Sequence, residues 1–167
     1  MNLNDDSCVC TTYDGPLGHM LLAATDTGLA GVWFIGQRHG PVDVEWREDA
    51  SHPVLRAAVT QLAAYFAGER TAFDLPLDLQ AGTAFQRSVW QALLAIPPGG
   101  TTSYSELGRR LGRPQAARAV GAAVGRNPIS IVVPCHRVLG TGGSLTGYAG
   151  GLERKTALLR LEGVLHH

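Results

Sequence analysis

Apolar and polar residues alternate over residues 7–13, placing Cys8, Cys10 and Thr12 on one side and Val9, Thr11 and Tyr13 on the other. A period of two marks a strand with one buried face. Gly15-Pro16 and Asp26-Thr27-Gly28 supply turns around a second apolar run, residues 20–24, and residues 29–35 give a third strand candidate. Residues 37–51 are polar and without period. The period then changes. Val54, Leu55, Ala58, Val59, Leu62, Tyr65 and Phe66 recur at helical spacing, with Pro53 at the start and Gly68 as the stop. The first half reads as a small antiparallel sheet followed by one helix, with no obvious chemistry in it.

The second half is mainly helical. Thr83 caps a helix whose Phe85, Val89, Ala92, Leu93 and Ile96 form one face, ended by Pro97-Pro98-Gly99-Gly100. Ser103-Tyr104-Ser105-Glu106 matches a capping box opening a short helix that ends near Gly112. Pro114 suits the first turn of another helix, running through Ala116, Ala119, Val120 and Ala123 to Val124, with Gly125 as its stop. The pair forms a helix-turn-helix candidate. Its second helix is built of Ala and Gly with Arg118 and Arg126, so its backbone can approach another surface closely. Residues 129–133 read as a short apolar strand or extended segment, and glycine-rich turns then lead to a last helix over residues 152–161. The fold class is α+β. Its units are residues 1–82, α/β and structural, and residues 83–167, mainly α.

Composition changes this picture in two places. A chain of 167 residues, 45% hydrophobic, can bury a real core, and it holds no apolar run of the roughly 20 residues a membrane span needs. Residues 1–10 lack the basic stretch and apolar run of a signal peptide, and three cysteines argue against a disulfide framework. Both point to the cytoplasm. The zero net charge hides a split. Residues 1–82 carry eleven acids against four arginines, whereas residues 83–167 carry ten Arg and Lys against three glutamates. A polyanion would dock on the second half; equally, the two halves could pair with each other.

The chemistry concentrates in Pro134-Cys135-His136-Arg137-Val138. A cysteine beside a histidine and among arginines sits in a field expected to favour thiolate, although an isolated cysteine is more often an inert core residue. Cys8 and Cys10 share a strand face and are read as inert. His136 needs an orienting group behind it to act as a proton relay, and Glu162 on the last helix is the candidate.

These residues stand in a longer ordered set. The run Asn127-Pro128…Ile131-Val132-Val133-Pro134-Cys135-His136-Arg137-Val138 resembles the acceptor motif of the O6-alkylguanine-DNA alkyltransferase family. The similarity extends through Phe85-Gln86-Arg87-Ser88-Val89-Trp90, Ile96-Pro97…Gly99…Thr102-Ser103-Tyr104 and Ala116-Ala117-Arg118-Ala119-Val120-Gly121. It continues in Gly147-Tyr148-Ala149-Gly150-Gly151-Leu152 and Lys155…Leu158-Leu159…Glu162-Gly163. It covers nearly all of residues 83–163, while the first half resembles the family only in its general pattern.

The resemblance implies a ribonuclease H-like first domain and a winged-helix-like second one. It makes Cys135 the nucleophile that takes the alkyl carbon from guanine O6, and from O4-alkylthymine as well, once and irreversibly. His136, through a water, takes the thiol proton, and Glu162 orients the histidine. Tyr104 hydrogen-bonds the leaving base, and Asn127 braces the turn before the cysteine. Val124, Val138, Tyr148 and Ala149 line the base pocket with Tyr104 and Cys135. The partner is double-stranded DNA, met in the minor groove by a monomer and needing no cofactor or metal. Arg118 fills the space left by the flipped base. Ala117, Thr102, Ser103, Gln115 and Arg126 contact DNA beside it. Many relatives have serine where Ala149 stands. The longer relatives that also activate transcription match poorly, since no cysteine-rich DNA-binding domain precedes residue 1.

Three other readings compete. Alkyltransferase-like binders lack the acceptor cysteine. A sequence-reading regulator would offer Asn, Gln or Arg along its recognition helix, where this chain has mostly Ala, Val and Gly. A cysteine hydrolase would need an acyl pocket, which nothing in the sequence suggests.

Overall fold

The computed structural model describes residues 7–165. Residues 1–6, the larger part of the leader reading, lie outside the described residues. Strands β1 (Val9–Gly15), β2 (Gly18–Ala24) and β3 (Leu29–Phe34) form an antiparallel meander, paired Thr11 to Leu22 and Leu22 to Val32. A two-residue strand β4 (Arg47–Glu48) adds to the open edge of β1 in parallel, so the sheet order is β3-β2-β1-β4. The sequence reading missed β4, because two exposed charged residues carry no alternation to detect. Helix α1 (Pro53–Phe66) packs on the face bearing Val9, Met20 and Leu22. The other face holds Cys8, Ala23, Trp33 and Trp46, with the two indoles stacked at 5.8 Å.

The second half begins with α2 (Ala84–Leu93), opened by a reciprocal capping box between Thr83 and Gln86. The strand β5 (Thr102–Ser103) leads directly into α3 (Tyr104–Arg110). Only half of the expected box forms there: Ser103 caps Glu106 N–H, while the Glu106 carboxylate pairs with Arg109 and Arg110. Gly112, at φ +71, ends α3 by accepting the left-handed conformation, with Arg113 N–H bonded back to Gly108 O. Pro114 stays in the turn, and α4 (Ala117–Gly125) starts three residues later than Pro114 suggested. Trp90 on α2 donates to Ala123 O at 2.8 Å and so fixes α4 against the core.

Residues 129–133 are not a strand. Val32 N–H bonds Pro128 O and Ser130 N–H bonds Val32 O, which makes one bridge to the edge of β3 before the chain turns away. A strand β6 (Val138–Leu139) pairs in parallel with β5, and α5 (Leu152–Leu161) closes the chain. One core runs from β1–β3 through α2 and α4 to Leu158 on α5, which holds the two halves together.

Candidate active site

Cys135 is presented by two consecutive tight turns. Val132 N–H bonds Ser130 O around Ile131, whose φ of +72° is unusual for a β-branched residue and strained. Cys135 N–H then bonds Val133 O around Pro134. The buried Asn127 spans these turns: Oδ1 accepts from Ile129 N–H at 3.0 Å, and Nδ2 donates to Val133 O at 2.8 Å. Such strain persists only where neighbours over-determine the backbone, and the Asn127 side chain is one of those neighbours. Cys135 is thereby held at the start of a 3₁₀ turn (Cys135–Arg137), 6% exposed, in the wall of a cleft of about 230 Å³.

The thiolate-favouring field expected from the sequence is not what the structure shows. Burial pushes the Cys135 thiol up, and the smaller pulls of the Asn127 amide and the Lys155 ammonium do not reverse it. Arg137 gives the thiol no direct help, because its guanidinium donates to both Glu162 oxygens and to Ile96 O. The resting sulfur is therefore a thiol and needs a base.

A group that can accept a proton is adjacent in sequence. His136 is fully buried, with Nε2 at 2.8 Å from Glu162 Oε2. An ionised carboxylate only accepts, so Nε2 carries the proton and Nδ1 keeps its lone pair. Nδ1 is buried and, among the described residues, has no hydrogen-bond partner. Burial lowers the His136 pKa, which keeps the ring neutral near pH 7 and able to take a proton. Glu162 is the C-cap residue of α5, fixed by Gly163 at φ +81. A carboxylate at a helix C-terminus is opposed by the helix dipole, and burial would raise its pKa further. Hydrogen bonds from His136, Arg137 and Tyr65 hold it down at about 2 instead.

The cleft walls come from several elements. Tyr104, the first residue of α3, lies against Gly121 on α4, and its hydroxyl donates to Thr146 O at 3.3 Å. Val124, Tyr148 and Ala149 also line the cleft. Val138 does not: its side chain is buried in the core and its carbonyl accepts from Lys155 Nζ at 2.6 Å. Lys155, wholly buried, also donates to Thr146 O and Gly147 O, and so ties the loop opposite Cys135 to the segment after it. Burial lowers its pKa to about 8. The cleft can seat one flat group against a buried thiol, with a hydroxyl on one side and a neutral histidine behind.

Two family models match the chain: the ribonuclease-like domain of 6-O-methylguanine DNA methyltransferase over residues 8–79 and its DNA-binding domain over residues 84–164. The chain belongs to this family. The methylated-DNA–protein-cysteine methyltransferase of Mycolicibacterium paratuberculosis is 52% identical over 151 residues, covering 90% of each chain. Its namesake in Methanosarcina acetivorans is 49% identical over 152 residues, covering 90% of this chain and 96% of the relative. A crystal structure of Mycobacterium tuberculosis OGT in complex with DNA superposes with a TM-score of 0.84 at 50% identity, covering 92% of both chains.

The surface around the cleft borders the thiol. Arg118, Gln115 and Arg126 are exposed on or beside α4, and Ala117 is half-buried. Arg118 lies three and four positions before Gly121 and Ala122, so it stands one turn along the helix from the cleft wall. Ser103 spends its hydroxyl on capping α3. Thr102 is a correction to the set expected on DNA. It is buried, because β5 pairs with β6 through Thr102 and Val138, and its Oγ1 faces inward.

Sequence reasoning missed four contributors. Arg38 and His39 come from the polar loop after β3 and line the cleft, where Arg38 N–H bonds Ala149 O. Tyr65 and Lys155 were visible only as a core-facing aromatic and a charge on the last helix. A histidine and an arginine in an aperiodic loop carry no signal until the loop is placed.

Proposed function

We propose that the protein repairs DNA by moving an alkyl group from guanine O6 onto Cys135 Sγ, in one irreversible event per molecule. The observation that carries this reading is a buried thiol in a base-sized cleft, backed by a neutral histidine locked onto a buried carboxylate. Sγ attacks the alkyl carbon in line, the S–C bond forms, and the C–O6 bond breaks with its electron pair going to the purine. The thiol proton passes through a water to His136 Nδ1, and Glu162 stabilises the imidazolium so formed. Tyr104 supplies a hydroxyl to the purine as negative charge develops on it. O4-alkylthymine presents the same alkyl–oxygen bond and is a second substrate. The thioether is stable, so no step regenerates the thiol.

Residues 83–167 hold the DNA and the acceptor, while residues 1–82 support them; three cysteines without a disulfide suit the reducing cytoplasm. The small residues of α4 suit a helix lying in a minor groove without reading base edges. Incubation with a duplex carrying labelled O6-methylguanine is expected to move the label to protein and stop at about one per molecule. Continued release of label beyond that point would mean turnover and sink the proposal.

Arg118 is assigned to the gap left in the duplex when the base flips out. Arg118→Ala is expected to slow repair of duplex DNA by about tenfold or more, since unstacking costs a few kcal/mol, while leaving reaction with free O6-alkylguanine nearly unchanged. Comparing the two rates checks it, and equal losses on both substrates would remove the assignment.

A further inference from the structure

We propose that Tyr65, from the half of the chain that carries no acceptor, is a positioning residue for alkyl transfer: its hydroxyl shares Glu162 with His136 and so limits how firmly that carboxylate holds a proton on the histidine. This rests on the acceptor reading above and deepens it. The Tyr65 hydroxyl donates to Glu162 Oε2 at 2.6 Å, across 97 positions of sequence. The same oxygen accepts from His136 Nε2 at 2.8 Å and from Arg137 at 2.9 Å. Among the described residues, Oε1 takes only the other Arg137 bond, at 2.8 Å. A buried tyrosine hydroxyl needs some partner, and a backbone carbonyl would satisfy it. Here it is aimed at the one atom that orients the histidine. The ring is 2% exposed and held by Phe66 edge-on at 5.5 Å and by Phe73 at 5.4 Å, so the hydroxyl has little freedom to leave.

The consequence follows from charge. Each donor to Oε2 withdraws part of the negative charge that would otherwise act on the imidazole. The charged and titratable groups around the pair are Arg137 beside it, Cys135 before it, Lys155 from α5 and Tyr65 from α1. Arg137 and Lys155 disfavour an imidazolium, and Glu162 favours it. Tyr65 weakens Glu162 without adding charge of its own, which keeps His136 free to receive the thiol proton near neutral pH. Without the hydroxyl, His136 would protonate at higher pH and the base would be lost there.

The test is the single-turnover rate of label transfer against pH for the wild-type protein and for Tyr65→Phe, which keeps the ring and removes only the hydroxyl. The midpoint of the acid limb is expected to rise by about half to one pH unit in Tyr65→Phe, with the rate on the plateau within about twofold of wild type. In a Glu162→Gln background the same change is expected to move the midpoint no further, since the shared carboxylate is gone. Superimposed midpoints would overturn the inference. So would a uniform loss of rate at every pH accompanied by a lower melting temperature, which is the mark of a packing role alone. If the wild-type protein transfers label to Cys135 and the midpoint does not move, only the role of Tyr65 falls. If no label reaches Cys135 in either protein, the acceptor reading fails and takes this inference with it.

Discussion

His136→Gln is expected to slow alkyl uptake by about a hundred- to ten-thousand-fold at neutral pH, the usual contribution of a placed general base. Glutamine roughly fills the volume and can still donate to Glu162, so the fold and the carboxylate remain served. What it lacks is a lone pair able to receive the thiol proton. The expectation is large because burial raises the Cys135 thiol, leaving little thiolate at rest. It also has a signature in pH. In the wild-type protein His136 is lowered by burial, so the acid limb lies below the ordinary histidine range and rate is lost as pH falls through it. In His136→Gln that limb disappears, and the rate climbs with pH as the thiol ionises unaided. Rapid-quench measurement of label transfer from pH 5 to 9 would check this, and a near-normal rate at pH 7 would show that the histidine is not the base.

Lys155→Met is expected to cost about 1–3 kcal/mol of stability, read as a lower denaturant midpoint. The ammonium donates to Val138 O at 2.6 Å, Thr146 O at 2.9 Å and Gly147 O at 3.2 Å. Methionine fills the space but offers those carbonyls nothing. Thr146 O keeps the Tyr104 hydroxyl and the exposed Gly147 O can turn to water, but the buried Val138 O is left unpaired, which costs more than its hydrogen bond contributed. Removing the buried cation also relieves its desolvation, which acts in the opposite direction and keeps the loss short of the sum of three bonds. The effect on repair should exceed the effect on stability. The same three carbonyls hold the Gly147–Tyr148–Ala149 loop over the cleft, and Lys155 is also the cation nearest the thiol in effect. A variant with wild-type stability would show that the Val138 carbonyl finds another partner.

Sequence pattern reached further in this chain for the elements than for the site. Helices α1, α2 and α5 were legible because each has an apolar stripe and a local stop, such as Gly68 or Gly163. Strand β4 and the β5–β6 pair were not, since two-residue strands are defined by partners distant in sequence. Residues 129–133 misled for a related reason: an unbroken apolar run reads as a strand or extended segment, but Asn127 and the turns at Ile131 and Pro134 fold it into a bracket for Cys135. Around the thiol, His136 and Glu162 were legible through the resemblance, and the structure brings them to 2.8 Å. The electrostatics were not. Counting nearby arginines suggested a lowered thiol, whereas Arg137 is committed to Glu162 and burial dominates. Tyr65 belonged by spacing to a helix stripe, and only packing shows that its hydroxyl leaves that stripe for the relay.

The central claim is that Cys135 is consumed by its own reaction. The most direct measurement is a peptide mass spectrum of the protein after reaction with an excess of duplex containing O6-methylguanine. The account expects the peptide bearing Cys135 to gain the mass of one methyl group in essentially every molecule, with Cys8 and Cys10 unchanged. Methyl on either of those two cysteines, or an unmodified Cys135 after the DNA has been repaired, would contradict it.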